Sequence, residues 1–158
     1  MKHIIAVIVE NKSGVLTRIA GLFSRRSFNI DSLSVGATDN PAYSRMTISV
    51  QGDRDTLEQV IKQLSKLINV IRVSELDPVE SLERELAIIK VSVDRESRSE
   101  VMQIVNIFRA KIIDVSQRSM IIEVTGDEEK VEAIIQLLRQ FGIKELARTG
   151  KVSMVRGT

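Results

Sequence analysis

The residues with the widest scope for chemistry form one short segment, Glu10-Asn11-Lys12-Ser13-Gly14-Val15-Leu16. Gly14 has no side chain, so a ligand can approach its backbone and the turn can adopt a positive φ. The N–H groups at a helix start lack partners inside the helix and can bind a small carboxylate, with Asn11 beside them as donor and acceptor. The segment alone is compatible with a carboxylate site and with an ordinary helix cap at a glycine turn.

The rest of the sequence offers little to an enzyme. There is no cysteine, which excludes disulfides, thiolate nucleophiles and cysteine-ligated zinc. The one histidine, His3, has no acidic neighbour in sequence and is predicted to have no special role. No glycine-rich phosphate loop is present, and residues 127–129 fit the first turn of a helix better than a metal cluster. We therefore expect a non-catalytic chain that binds no metal and no cofactor of its own.

Composition and charge narrow the class further. The 158 residues are 43% hydrophobic and 28% charged, as in an ordinary globular protein of one domain or two small ones. A net charge of +2 and only one Tyr, four Phe and no Trp give neither a basic field nor a stacking platform for nucleic acid. No apolar run approaches the roughly 20 residues of a membrane span, and no secretory signal is seen. We expect a cytoplasmic protein with no nucleic acid or membrane partner.

Hydrophobic periodicity predicts the elements that position the glycine segment. Residues 4–9 are predicted to form a buried central strand, followed by a helix capped by Asn11 or Ser13. That helix has one apolar face made of Val15, Leu16, Ile19, Ala20 and Phe23. Strands beginning near Ile30 and covering 45–50, a helix with apolar positions from Leu57 to Ile68, and a strand over 70–76 complete a βαββαβ order. This order is that of a ferredoxin-like unit.

The pattern then restarts. Asp77 and Pro78 indicate a linker, residues 77–83, because proline disfavours both helix and central strand. Beyond it, Ile89, Val91 and Val93 repeat the spacing of Ile5, Val7 and Val9, and residues 120–127 repeat the register of residues 46–53. The shared register favours an internal duplication over two unrelated α+β domains. We predict an α+β chain of two tandem ferredoxin-like units, at residues 1–76 and 84–158.

The second copy serves as an internal control for the glycine segment. At the equivalent loop it carries Asp94-Arg95-Glu96-Ser97-Arg98, which adds charge and contains no glycine. If the fold needed Gly14 only to turn the chain, the second loop should need a glycine as well. The difference favours a ligand in the first copy and predicts that the second copy binds no amino acid.

Several segments together resemble the small, regulatory subunits of acetolactate (acetohydroxyacid) synthase, whose N-terminal part is an ACT domain. The resemblance covers essentially the whole chain and is carried by residues 10–19, 21–26, 28–33, 44–47, 73–76 and 147–150. It implies an allosteric subunit of branched-chain amino acid biosynthesis that binds a branched-chain amino acid, usually valine. Such a subunit activates a separate catalytic (large) subunit and confers valine feedback inhibition on it. The catalytic subunit would use thiamine diphosphate, Mg and FAD.

The resemblance also implies where the effector binds. In this family it lies between the ACT domains of two chains, so a homodimer is expected. One chain would contribute Asn11, Ser13, Gly14, Val15 and Leu16. Asn29 and Ile30 would approach from the partner chain. The second unit would then serve assembly or activation of the catalytic subunit.

Two other functions share parts of this pattern. The order βαββαβ is also that of the RNA-recognition motif, but that motif stacks bases on aromatic residues of its first and third strands. Here residues 4–9 and 45–50 contain no aromatic residue. The second alternative is a free-standing ACT-type amino-acid sensor for another enzyme or regulator, because a fold does not determine its partner. Co-purification with a large thiamine-dependent subunit would distinguish a synthase subunit from such a free-standing sensor.

Overall fold

Two βαββαβ units follow one another along the chain, as the periodicity predicts. The structure is a computed structural model that describes residues 1–157. The first unit contains β1 Lys2–Glu10, α1 Val15–Arg26, β2 Asn29–Ala37, β3 Tyr43–Gln51, α2 Arg54–Ser65 and β4 Val70–Leu76. The second pattern comprises β5 Ser81–Ser92, α3 Ser97–Ile107, β6 Lys111–Val115, β7 Ser119–Gly126, α4 Glu128–Arg139 and β8 Ile143–Arg148, and is followed by β9 Val152–Val155. None of the described helices is both long enough and apolar enough to cross a membrane.

The first sheet has the strand order β2-β3-β1-β4, and its paired strands are antiparallel. The apolar run predicted as a central strand is β1, which lies between β3 and β4. Alternate residues of β1 and β3 point to one face and pack there against α1 and α2. The core consists of Ile5, Val7, Val9, Met46, Ile48 and Val50 from the sheet and Val15, Ile19, Leu22, Phe23, Leu57, Val60 and Leu64 from the helices.

The second sheet repeats this construction. Its order is β6-β7-β5-β8, and β9 pairs with β5 outside that path. Ile5 pairs with Ile48 in the first sheet, and the corresponding Ile89 pairs with Ile122 in the second. The caps correspond too, because Asp53 accepts from the Thr56 N–H at 2.8 Å and Asp127 from the Lys130 N–H at 2.9 Å. This residue-for-residue agreement supports the duplication.

Three apolar residues assigned to helix faces are exposed, namely Leu16 and Ala20 of α1 and Ile68. Leu16 was expected on the inner face of α1, but its side chain is 47% exposed. The buried stripe is Val15, Ile19, Leu22 and Phe23, and Leu16 lies in the first turn at the edge of that stripe. Ile68 lies beyond the end of α2 and is 88% exposed. The chain tightens there into turns in which Lys66 and Leu67 donate to carbonyls three residues earlier.

The compact units do not coincide with the predicted sequence ranges at the C-terminal end. One unit contains residues 1–82 and the segment from Gly150 onward, and the other contains residues 83–149. The predicted division placed these last residues in the second domain, because the sequence does not show which sheet β9 joins. Within the predicted linker 77–83, Asp77 nucleates a turn and Ser81 already begins β5. Residue 158, the last of the predicted second domain, lies outside the described residues.

We call residues 150–157 the C-terminal segment. Gly150 packs so closely on β2 that a Cβ atom there would lie 2.6 Å from the carbonyl oxygen of Leu33. Further along, the Arg45 guanidinium donates to the Ser153 carbonyl at 2.9 Å, and the Arg156 N–H donates to the Glu80 carbonyl at 2.7 Å. Since Arg45 alternates with the core residue Met46, the segment lies on the sheet face opposite the helices.

Candidate functional site

The glycine segment forms a tight connection between β1 and α1. Gly14 is the N-cap residue of α1, with φ 87° and ψ −9°, and no side chain caps the helix. The prediction that Asn11 or Ser13 caps the helix is therefore wrong. Asn11 is instead tied to the β2–β3 connection: its backbone N–H donates to the Ala42 carbonyl at 2.8 Å and its side-chain amide to the Pro41 carbonyl at 3.1 Å.

The helix start is open to an anion. A Cβ atom built on Gly14 would meet nothing within 4 Å, and the first turn of α1 contains no acidic residue. Unsatisfied N–H groups and the positive end of the helix dipole favour a bound carboxylate at such a place. Glu10 and Lys12 form an ion pair in which Lys12 Nζ lies 2.8 Å from Glu10 Oε2, so their charges cancel. Their hydrogen bond lowers the pKa of Glu10 and raises the pKa of Lys12.

The corresponding helix start in the second unit is already occupied. The Asp94 carboxylate accepts from the backbone N–H of Ser97 at 2.8 Å and of Glu96 at 2.9 Å. The Ser97 hydrogen bond is the main reason why the pKa of Asp94 is lowered. A free carboxylate would have to displace this side chain, so the first unit offers an anion position that the second fills from within.

The comparison of the two loops also gives Gly14 a second role. Its positive φ is a conformation that glycine adopts without strain, whereas Glu96, the N-cap residue of α3, has φ −79°. The backbones therefore differ, and the absence of glycine from the second loop does not by itself indicate a ligand at the first. The uncapped helix start carries that inference instead.

The seven predicted site residues fall into two groups. Asn11, Ser13, Gly14, Val15 and Leu16 lie together at the end of β1, but Val15 is only 5% exposed and offers a ligand little beyond its backbone. Leu16, turned outward, is the apolar side chain available there. Asn29 pairs with Gln51, which pairs with Lys2, whereas Glu10 pairs with Tyr43 at the other end of the sheet. Eight residues of strand separate the groups by roughly 26 Å within one chain.

The sequence does not reveal one feature of the site region. β2 is an edge strand, and its side chains Leu33 and Val35 are 37% and 45% exposed. They pair with the core residues Ile48 and Met46, so they lie on the helix side of the sheet. Their alternation with serine is also typical of a half-buried strand inside a sheet, and the sequence does not show that this strand has a free edge.

Among the described residues, no cluster of His, Asp or Glu could hold a metal ion.

The fold and the open helix start define an ACT-type regulatory module. In agreement, the family model for the AHAS small subunit-like ACT domain matches residues 5–72. The model for the small subunit of acetolactate synthase matches residues 84–157. The chain belongs to the acetolactate synthase small subunit family.

Individual relatives agree along the full length. A probable acetolactate synthase small subunit of Archaeoglobus fulgidus is 64% identical over 157 residues, which cover 99% of this chain and 98% of the relative. The acetolactate synthase small subunit of Mycobacterium bovis is 54% identical over 155 residues, covering 98% and 92%. The crystal structure of the small subunit from Thermotoga maritima superposes with a TM-score of 0.94 at 48% identity, covering 100% of this chain and 99% of that one.

Proposed function

We propose that this chain binds a branched-chain amino acid, with valine preferred, and confers activation and feedback inhibition on a separate acetolactate synthase catalytic subunit. The observation that carries the proposal is the uncapped start of α1 at Gly14, which faces open space while Asp94 fills its counterpart. Thiamine diphosphate, Mg and FAD belong to the catalytic subunit in this proposal. The second unit binds no amino acid and serves assembly or activation.

The chemistry of the proposed site follows from its parts. The effector carboxylate accepts from the N–H groups of Leu16 and Thr17 in the first turn of α1, beside the polar side chains of Asn11 and Ser13. Gly14 leaves room for this approach, and the exposed Leu16 side chain contacts the branched aliphatic group. The effector ammonium needs an acceptor, and the amide oxygen of Asn29 from the partner subunit can supply one.

A dimer through β2 brings the two groups of site residues together. If two β2 strands pair antiparallel about Leu33, Asn29 of the partner subunit lies opposite Ala37. Ala37 pairs with Ser44, and Ser44 pairs with Val9, next to the glycine segment. This pairing closes the exposed edge of the sheet, and it is isologous, so one dimer holds two equivalent sites.

Val35→Lys is expected to convert the dimer into monomers and to abolish valine binding, because lysine on an edge strand disfavours strand pairing. Light scattering at micromolar concentration measures the first effect and calorimetric titration the second. Ile71→Lys is the matched control: Ile71 is 54% exposed on β4, the opposite edge of the same sheet. A wild-type chain that stays monomeric with valine present contradicts this arrangement.

Titration of the purified chain with valine, isoleucine and leucine tests the proposed function directly. We expect valine to bind and a large thiamine-dependent subunit to co-purify with the tagged chain. The rate of that subunit should rise on adding this chain and fall again on adding valine. Binding without a catalytic partner would instead indicate a free-standing sensor, and the absence of binding by all three amino acids would refute the effector site.

A further inference from the structure

A second concave site lies in the first unit, between the C-terminal segment and the sheet face opposite the helices. Its volume is about 210 Å³. Two strands of the sheet and the C-terminal segment provide most of its walls, and none of the glycine-segment residues contributes to it. The lining residues are Ala6, Ile8, Arg45, Arg72, Ser74, Leu76, Met154 and Val155.

Two arginines give this cavity a positive charge. Ile8 pairs with Arg45 on one side and with Arg72 on the other, so the two cationic side chains flank it in a single cross-strand row. Arg45 is half-buried, and its guanidinium donates one hydrogen bond to the Ser153 carbonyl. Arg72 has no ion pair with any residue that the structure describes, and no carboxylate lines the cavity. Guanidinium groups bind carboxylates through paired, charge-assisted hydrogen bonds.

The remaining walls are mainly aliphatic. Ile8, Leu76, Met154 and Val155 surround the space beside the arginines, and the Ser74 hydroxyl adds a single neutral donor. An anion with a short hydrocarbon body fits this lining better than a bare, fully hydrated oxyanion. An ammonium group would meet two cations and no acid, which disfavours an amino acid here.

We infer that this cavity binds a short aliphatic carboxylate without an amino group. Such a ligand contacts β1, β4 and the C-terminal segment at once, so its binding holds the segment against the sheet. The site is independent of the proposed effector site, from which it differs in position and in ligand charge.

Methionine methyl NMR offers a position-specific test. The chain has five methionines: Met154 lines the cavity, Met46 and Met120 are buried in the two cores, and Met1 and Met102 lie elsewhere. With ¹³C-methyl methionine in the full chain, 3-methylbutanoate should shift the Met154 signal in a saturable way and leave Met46 and Met120 in place. This probe is valine without its amino group, so valine itself should not compete for the site.

Arg72→Met should weaken 3-methylbutanoate binding about tenfold through loss of a charge-assisted contact, and Arg72→Lys should recover part of it. Arg72 is exposed, so the fold should persist, and Arg139→Met on α4 is the matched control. The inference is overturned if Met154 does not respond, if Arg72→Met binds like the wild type, or if valine displaces the probe. Equal affinity for inorganic phosphate would overturn the assignment to an aliphatic carboxylate.

Discussion

Replacing Gly14 by aspartate should abolish valine binding while leaving the fold intact. The new carboxylate would lie at the start of α1 and accept from the N–H groups that the effector needs, as Asp94 does in the second unit. The Cβ atom meets nothing within 4 Å, and aspartate tolerates a positive φ better than most residues. We expect the affinity to fall by about a hundredfold or more, which corresponds to about 2.7 kcal/mol.

Gly14→Asn separates charge from backbone conformation. Asparagine has nearly the same shape and also tolerates the left-handed region, but it carries no negative charge. Calorimetric titration should therefore show a much smaller loss for Gly14→Asn than for Gly14→Asp, with matching circular dichroism spectra. Wild-type valine affinity in a folded Gly14→Asp chain would exclude the start of α1 as the effector site.

The second large effect is expected at Arg148, which joins two acidic residues of the second unit. Its guanidinium donates to the Glu85 carboxylate, whose side chain is 5% exposed, and to the Glu132 carboxylate on α4. Arg148→Met leaves Glu85 charged, buried and without its cation. Such a change costs about 3–5 kcal/mol in free energy of unfolding, far more than an exposed ion pair contributes. Urea unfolding, monitored by far-UV circular dichroism, measures the loss of stability.

A double variant shows whether the unpaired charge is the cause. Glu85→Leu combined with Arg148→Met removes both charges and should regain most of the lost stability. Arg139→Met, an exposed arginine at the end of α4, should change the unfolding free energy by less than about 0.5 kcal/mol. A loss of only about 1 kcal/mol for Arg148→Met would mean that Glu85 is solvated and that the pair is a surface contact.

Local patterns were sufficient to predict the order of the elements. The β-branched run ending at Val9 has the composition of a strand buried on both sides, and Asp53 and Asp127 begin their helices as caps. The width of the apolar helix face was less well predicted: residues 15 and 16 were both assigned to it, but Leu16 is 47% exposed. Only Val15 of the two is buried, at 5% exposed.

Long-range placement could not be read from the sequence. The glycine segment was recognisable because its chemistry is local, but the distance from Gly14 to Asn29 depends on strand order and register. The C-terminal segment shows the same limit, since its sequence does not indicate which sheet face it covers. The arginines at 45 and 72, far apart in sequence, become neighbours of Ile8 only through pairing.

The return of the C-terminal segment makes the second unit an insertion within the first. Residues 83–149 are synthesised before Gly150, so the ribosome completes the whole second unit before the first can acquire its last strand. Once folded, the second unit holds Thr149 against Leu86 through a 2.9 Å backbone hydrogen bond, which brings its two ends side by side. Folding of the inserted unit thus reduces the entropic cost of closing the loop when β9 packs on the first unit. The stability of the first unit is thereby coupled to that of the second.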